Sequence, residues 1–257
     1  MNKRKKVFII IISIVITWVL IISGILIFLS VKKDKDIPME DEIENVEKEF
    51  VTMFSNIEYN NDESNQLIST VYEYKNDDEG ILDINVHIPK FELETCEDIN
   101  NEILEIFGTK LLDIVRESTE QTRYTVDYVY FVNDTIVSLI IKANLKEGSN
   151  PQRTIIKTYN YDVLNSENVS LEKILVNKKV ERYKIQETIN NTVREKNNNS
   201  QVLAEQGLNI YVRDIKSEEY KIENVENYLL NDKGEVYIIF AYGNKNFTET
   251  MDIIQVK

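Results

Sequence analysis

The chain has one histidine, one cysteine and 44 carboxylates with which to do chemistry. His87 stands in "INVHIP". A Ser-His-Asp relay could draw on it, but no G-x-S-x-G elbow occurs, and a zinc site would lack its other ligands. It reads as a strand-end histidine packed beside the core. Cys96 lies just ahead of a helix, where a thiol pKa can be depressed, but a lone cysteine fits no motif. It reads as a small half-buried residue. "KNDDEG", residues 75–80, invites a calcium loop. It fails because Lys75 stands where the first Asp belongs and no Glu stands six residues beyond Gly80. A glycosidase needs two carboxylates across a cleft, and among so many acids spacing selects none.

Two glycines in "ENYLLNDKGEVYIIFAYGNKNF", residues 226–247, could cradle a phosphate or turn the chain. No helix follows to aim its N-terminus at an anion. Asp232-Lys233-Gly234 therefore reads as a hairpin turn with a left-handed glycine, and Gly243-Asn244 as the next turn. No P-loop or dinucleotide fingerprint occurs. The sequence thus assigns no catalytic, cofactor-binding, metal or ligand-binding residue, and calls for no cofactor.

The elements that must position these groups begin with Ile43, Val46, Phe50 and Met53, which share one helical face. That helix is either a stalk or the first element to dock on the domain. Residues 55–66 are polar and aperiodic and read as linker. Strands are expected on both sides of 76–80, the second ending at Pro89, which cannot donate to a ladder. Ile99, Ile103, Phe107, Leu111 and Ile114 predict a helix over 97–118, with Gly108 a weak spot in it. Strands follow at 123–132, 135–145 and 153–161, with Asn133-Asp134 turning between the first two. Ser170 should cap a short helix, a second helix should run over 179–195 until "KNNNS" stops it, and "LNIYVRDI" is strand or loop. The final strands come from the glycine-bearing stretch and "TETMDIIQV". Short hairpins favour an α+β fold, a mostly antiparallel sheet packed with helices.

Residues 7–29, "VFIIIISIVITWVLIISGILIFL", hold no charge and are long enough to span a bilayer as one helix. They exceed the apolar core of a signal peptide, and no A-x-A-like cleavage site follows. Lys3, Arg4, Lys5 and Lys6 keep the 1–6 tail cytoplasmic. The organisation is then a tail (1–6), a transmembrane helix (7–29), an acidic stalk (30–66) and an extracytoplasmic domain (67–257), divisible near 160/161. The whole chain carries −14, and its first 35 residues are basic, which leaves about −20 for residues 36–257. That excludes nucleic acid as a partner and permits a cationic one. A single cysteine means no internal disulfide, and about 220 residues can bury a core without one.

Three segments carry a resemblance. "LDINVHIPKFEL…INNEILEIF", with Ile88-Pro89 ahead of Ile99-Asn100, resembles the opening of the domain that precedes the catalytic module of PdaC-type peptidoglycan deacetylases. "VSLIIKANLKEG…TYNYDVLNSENVSLEKIL", with its Ser170-Leu171-Glu172-Lys173-Ile174 step, is similar to the middle of the companion domain. "NYLLNDKGEVYIIFAYG" looks like that domain's C-terminal hairpin. The same pair forms the extracytoplasmic half of RsiV-type anti-sigma factors, which sense lysozyme by binding it. The likeness covers about 67–256. It departs in two ways: residues 1–6 are too short for a sigma-binding segment, and one histidine cannot make a deacetylase site.

The resemblance implies a non-catalytic binding or sensing domain at the bacterial cell envelope. Its partner would be an envelope protein or peptidoglycan-related ligand, with a cationic muramidase such as lysozyme the case that the acidity suits. The alternatives are a peptidoglycan enzyme using carboxylates and an accessory subunit of an envelope complex.

Overall fold

A computed structural model describes residues 40–55, 67–78 and 81–256. The expected membrane span at 7–29, the tail before it and most of the linker lie outside the described residues. Among the described residues no helix is long and apolar enough to cross a membrane.

Helix α1 (Glu40–Met53) comes first, then strands β1 (Ile68–Asp78) and β2 (Leu82–Phe91). A helical run follows: α2 (Glu97–Ile103), a π-helical turn (Leu104–Gly108) and α3 (Thr109–Glu117). The single helix expected over 97–118 therefore widens by one π turn that ends on the glycine, where no Cβ crowds the backbone. Strands β3 (Thr122–Asn133), β4 (Ile136–Glu147), β5 (Arg153–Asp162) and the short β6 (Glu167–Asn168) complete a first sheet in the order β1-β2-β3-β4-β5-β6. Helices α4 (Leu171–Asn177) and α5 (Arg182–Glu205) lead to β7 (Asn227–Leu230), β8 (Val236–Ala241) and β9 (Met251–Val256), which form a second, antiparallel sheet.

The fold is α+β and mostly antiparallel, with one exception. Strands β2 and β3 are parallel, from Leu82 opposite Thr122 to Val86 opposite Val126. Parallel neighbours need a crossover, and the α2–α3 run provides it. Pro89 does not end β2, which continues to Phe91. The ladder with β3 has already stopped at Val86, so a residue without an N–H is tolerated there. Pro89 also sits opposite Thr70, where β1 shifts register by a bulge.

Alternation decides the layers. On β4, Val137, Leu139, Ile141, Ala143 and Leu145 face the α2–α3 run together with Ile103, Phe107 and Leu111. Ile140 points the other way and meets Ile156, Leu229, Tyr237, Ile239, Ile253 and Phe50 of α1. The second sheet alternates likewise, with Val236, Ile238 and Phe240 facing Ile185, Ile189 and Val193 of α5. Strand β4 is covered on both faces, which explains its nearly unbroken apolar run. Helix α1 is docked: Phe50 is fully buried, and Glu47 pairs with Lys196 at 2.6 Å.

The two sheets meet where β5 and β7 would each leave an edge. Asn227 Oδ1 accepts from Thr158 N at 3.1 Å, and Tyr228 N donates to Thr158 Oγ1 at 3.0 Å. Asn244 brackets Ile156, accepting from its N–H and donating to its carbonyl, both at 2.9 Å. Thr154 N donates to Thr248 O at 3.1 Å. Side chains thus satisfy backbone groups that an open sheet edge would leave as a template for aggregation.

Candidate functional site

The polar side chains expected to carry chemistry are dispersed. His87 lies in the middle of β2, not at its end, opposite Glu73 of β1. Its imidazole bridges two carboxylates, Glu73 at 3.6 Å and Asp127 of β3 at 3.4 Å, with its side chain only 12% exposed. Asp127 is in turn opposite Lys142 of β4. His87 with its two carboxylates, and Asp127 opposite Lys142, set polar side chains of four neighbouring strands side by side, an arrangement that ties the strands together. Lys142 lies 5.2 Å above the Phe54 ring, and burial lowers its pKa. Cys96 is wholly buried, more than the half-burial expected, and desolvation pushes its thiol up, away from reactivity.

The glycines take the role of turns. Gly234 has φ +78°, and its N–H donates to Asn231 O at 2.9 Å, closing the β7–β8 hairpin. Gly243 does more than turn the chain. A Cβ there would fall 1.9 Å from Thr154 O, so only glycine lets the second sheet close on β5.

What the sequence did not signal is a buried ionic cluster in the second half. Asp252 is on β9, on the face that α5 covers, and Arg213 reaches it from the segment after α5. Arg213 Nε donates to Asp252 Oδ2 and Nη2 to Oδ1, both at 2.6 Å. Both residues are almost fully buried. Arg213 Nη1 donates to Ser200 Oγ at 2.7 Å, and its backbone N–H to Asn197 Oδ1 at 3.0 Å. Tyr242 donates to Asp252 Oδ2 at 2.6 Å and accepts from Tyr220 at 3.0 Å. Tyr211 stacks on Tyr242 with centroids 4.5 Å apart. Burial, then the nearby Asp252 charge, pushes the Tyr242 phenol far up, so it acts as a fixed donor.

This cluster explains why "KNNNS" does not stop the helix. The inner stripe of α5 runs Ile185, Ile189, Val193, then Asn197 and Ser200, all buried. Its apolar part meets the sheet and its polar part meets the guanidinium. Asparagine and serine favour helix ends in isolation. Here a buried charge needs their oxygens. The helix runs on to Glu205 and ends in a Schellman motif. Gly207 has φ +86°, its N–H donates to Ala204 O at 2.9 Å, and Leu208 N donates to Leu203 O at 3.2 Å.

Beside the cluster is a shallow cleft with room for about 40 Å³, lined by Glu219, Glu226, Asn227, Tyr242, Asn246 and their neighbours. A drug-sized ligand needs about 300–1,000 Å³, so this cleft admits a few waters or the tip of one side chain. Among the described residues no group of three or more His, Cys, Asp or Glu could hold a metal ion. The arrangement can fix a segment in place and accept contacts along it.

No protein-family model matches the chain, and no curated protein matches it. Among solved structures the chain is similar to a DUF3298 family protein from Pseudomonas aeruginosa PAO1. The TM-score is 0.45 and the identity 16%, over 74% of this chain and 87% of that one. It is also similar to a DUF3298 family member from Bacteroides fragilis, with a TM-score of 0.31 and 13% identity over 68% of this chain and 80% of that one.

Proposed function

We propose that the chain is a membrane-anchored, extracytoplasmic and non-catalytic binding or sensing domain of the bacterial cell envelope, and that its ligand is a cationic protein of the lysozyme kind. The observation that carries this reading is the charge asymmetry about the apolar stretch 7–29. A short basic tail precedes it, and a balance of about −18 follows over residues 30–257. Such a field accelerates encounter with a basic partner and repels acidic ones. The resemblance to RsiV-type sensing domains points to the same partner class. The buried ion pair of Arg213 and Asp252 is consumed in holding the fold.

The test is capture of lysozyme by the full chain in nanodiscs of zwitterionic lipid. Binding at low salt that weakens as salt is raised supports the reading, because screening shortens the reach of exposed charge. No binding at low salt would sink it.

A further inference from the structure

Residues 202–215 expose an unusual amount of hydrocarbon. Val202, Leu203, Leu208, Ile210, Val212 and Ile215 are each between 38% and 55% exposed. Single exposed aliphatics are ordinary, but a run of them on one segment marks a surface with a partner. The segment from 208 to 214 belongs to no sheet. Two inward residues hold it against the body: Tyr211 stacked on Tyr242, and Arg213 clamped by Asp252, Ser200 and Asn197. Burying an ion pair contributes little net stability, whereas it fixes geometry. Here it fixes a strap whose aliphatic side chains stay in water.

The charges around the strap select its occupant. Residues 201–220 carry Glu205, Asp214, Glu218 and Glu219 against Lys216 and Arg213, and Asp252 neutralises Arg213. Lys196, just before the stretch, is engaged by Glu47, and Glu218 is spent on Lys221, just after it, which leaves Glu205, Asp214 and Glu219 against Lys216. An anionic membrane would be repelled from such a rim, and so would a second copy of this acidic chain. A basic surface with apolar side chains among its cations satisfies both the ridge and the rim.

We infer that Leu203, Leu208, Ile210 and Val212 form the docking ridge for such a basic, amphipathic protein segment. This deepens the reading of the chain as a binder of cationic proteins and rests on it. The full chain in zwitterionic nanodiscs is titrated with two peptides of equal charge, one alternating Lys and Leu, the other alternating Lys and Ser. The unaltered chain should bind the Lys/Leu peptide more tightly. The double variant Leu208→Ser/Ile210→Ser should lose about tenfold of that affinity, an effect of the size expected when two half-exposed aliphatics are removed. Its affinity for the Lys/Ser peptide should stay unchanged. Leu164→Ser, at an exposed leucine distant in sequence, should change neither. All sites are on the surface, and thermal unfolding of each variant checks that it folds. Equal Lys/Leu binding by the double variant and the unaltered chain overturns the ridge and leaves the broader reading standing. Failure of the unaltered chain to bind either peptide overturns both.

Discussion

Between the first sheet and the α2–α3 run, the core cluster is hydrocarbon, phenol and one thiol, with the Thr122 hydroxyl buried at its end. At the corresponding depth in the second half, an arginine, an aspartate, an asparagine, a serine and two tyrosines share a hydrogen-bonded cluster. The first half needs no such device, because long strands in regular register order every residue by themselves. The second half has a three-stranded sheet with short strands, and between α5 and β7 a long connection whose regular structure is two 3-10 turns, Glu218–Tyr220 and Ile222–Asn224. Apolar contact is non-directional and cannot fix so irregular a segment. A bidentate ion pair can. The lesson is that an ion pair was buried where the backbone pattern was weakest, and that is also where the exposed aliphatic run lies.

The largest expected effect tests whether the two halves unfold together. Burial raises the phenol pKa of Tyr124 and Tyr159 in the first half, of Tyr220 and Tyr242 in the second, and of Tyr237 between them. Unfolded phenols ionise near pH about 10, while these stay protonated, so the unfolded state binds fewer protons above that pH. Their contribution is therefore complete below pH about 10 and is lost as pH rises, at about 1.4 kcal/mol per pH unit for each such phenol. Phenolate absorbance and circular dichroism should change in one step. Two separate steps would show the halves to be independent.

Next in size is Asp252→Ala, which leaves Arg213 buried without its partner and should cost about 3–5 kcal/mol in urea unfolding. Replacing both, Arg213→Leu with Asp252→Leu, should recover most of that loss. Amide exchange over 208–215 should nonetheless accelerate in the double variant. Undiminished protection there would show that the cluster does not hold the strap.

Gly243→Ala places a methyl against Thr154 O and should cost about 1–3 kcal/mol, since backbone and not a flexible side chain must move. A neutral result would mean that the joint between the sheets is soft. Smallest is Ile141→Val in the first core, expected to lower stability by about 0.5–1.5 kcal/mol with an unchanged urea slope.

Much of the fold was legible. The strands around Asn133-Asp134 were readable because their alternation and turn residues agree locally; Asp134 takes a left-handed φ of 52°, but Asn133 pairs with Ile136, so the turn is Asp134-Thr135, one residue later than expected. Ser170 caps α4 as its position predicts, accepting from Lys173 N at 3.2 Å. The candidate site was not legible. Arg213, Asp252 and Tyr242 are separated by up to 39 residues and follow no spacing rule. "KNNNS" read as a helix stop because local propensity sees Asn and Ser competing for the backbone, not a guanidinium waiting across the layer. His87 read as a strand end because the early end of the parallel ladder, which makes Pro89 tolerable within β2, is a long-range event.

The sequence by itself determined where helices, strands and turns begin, because periodicity, caps and left-handed turn residues act within a few residues of one another. It also determined the charge of the surface, which is a sum over side chains. Only the tertiary structure decided that the first helix docks through Phe50, that an asparagine after a glycine seals the edge of another sheet, and that one arginine is drawn inside. Those outcomes depend on which groups meet across layers, and burial makes each such meeting strong enough to overrule local preference.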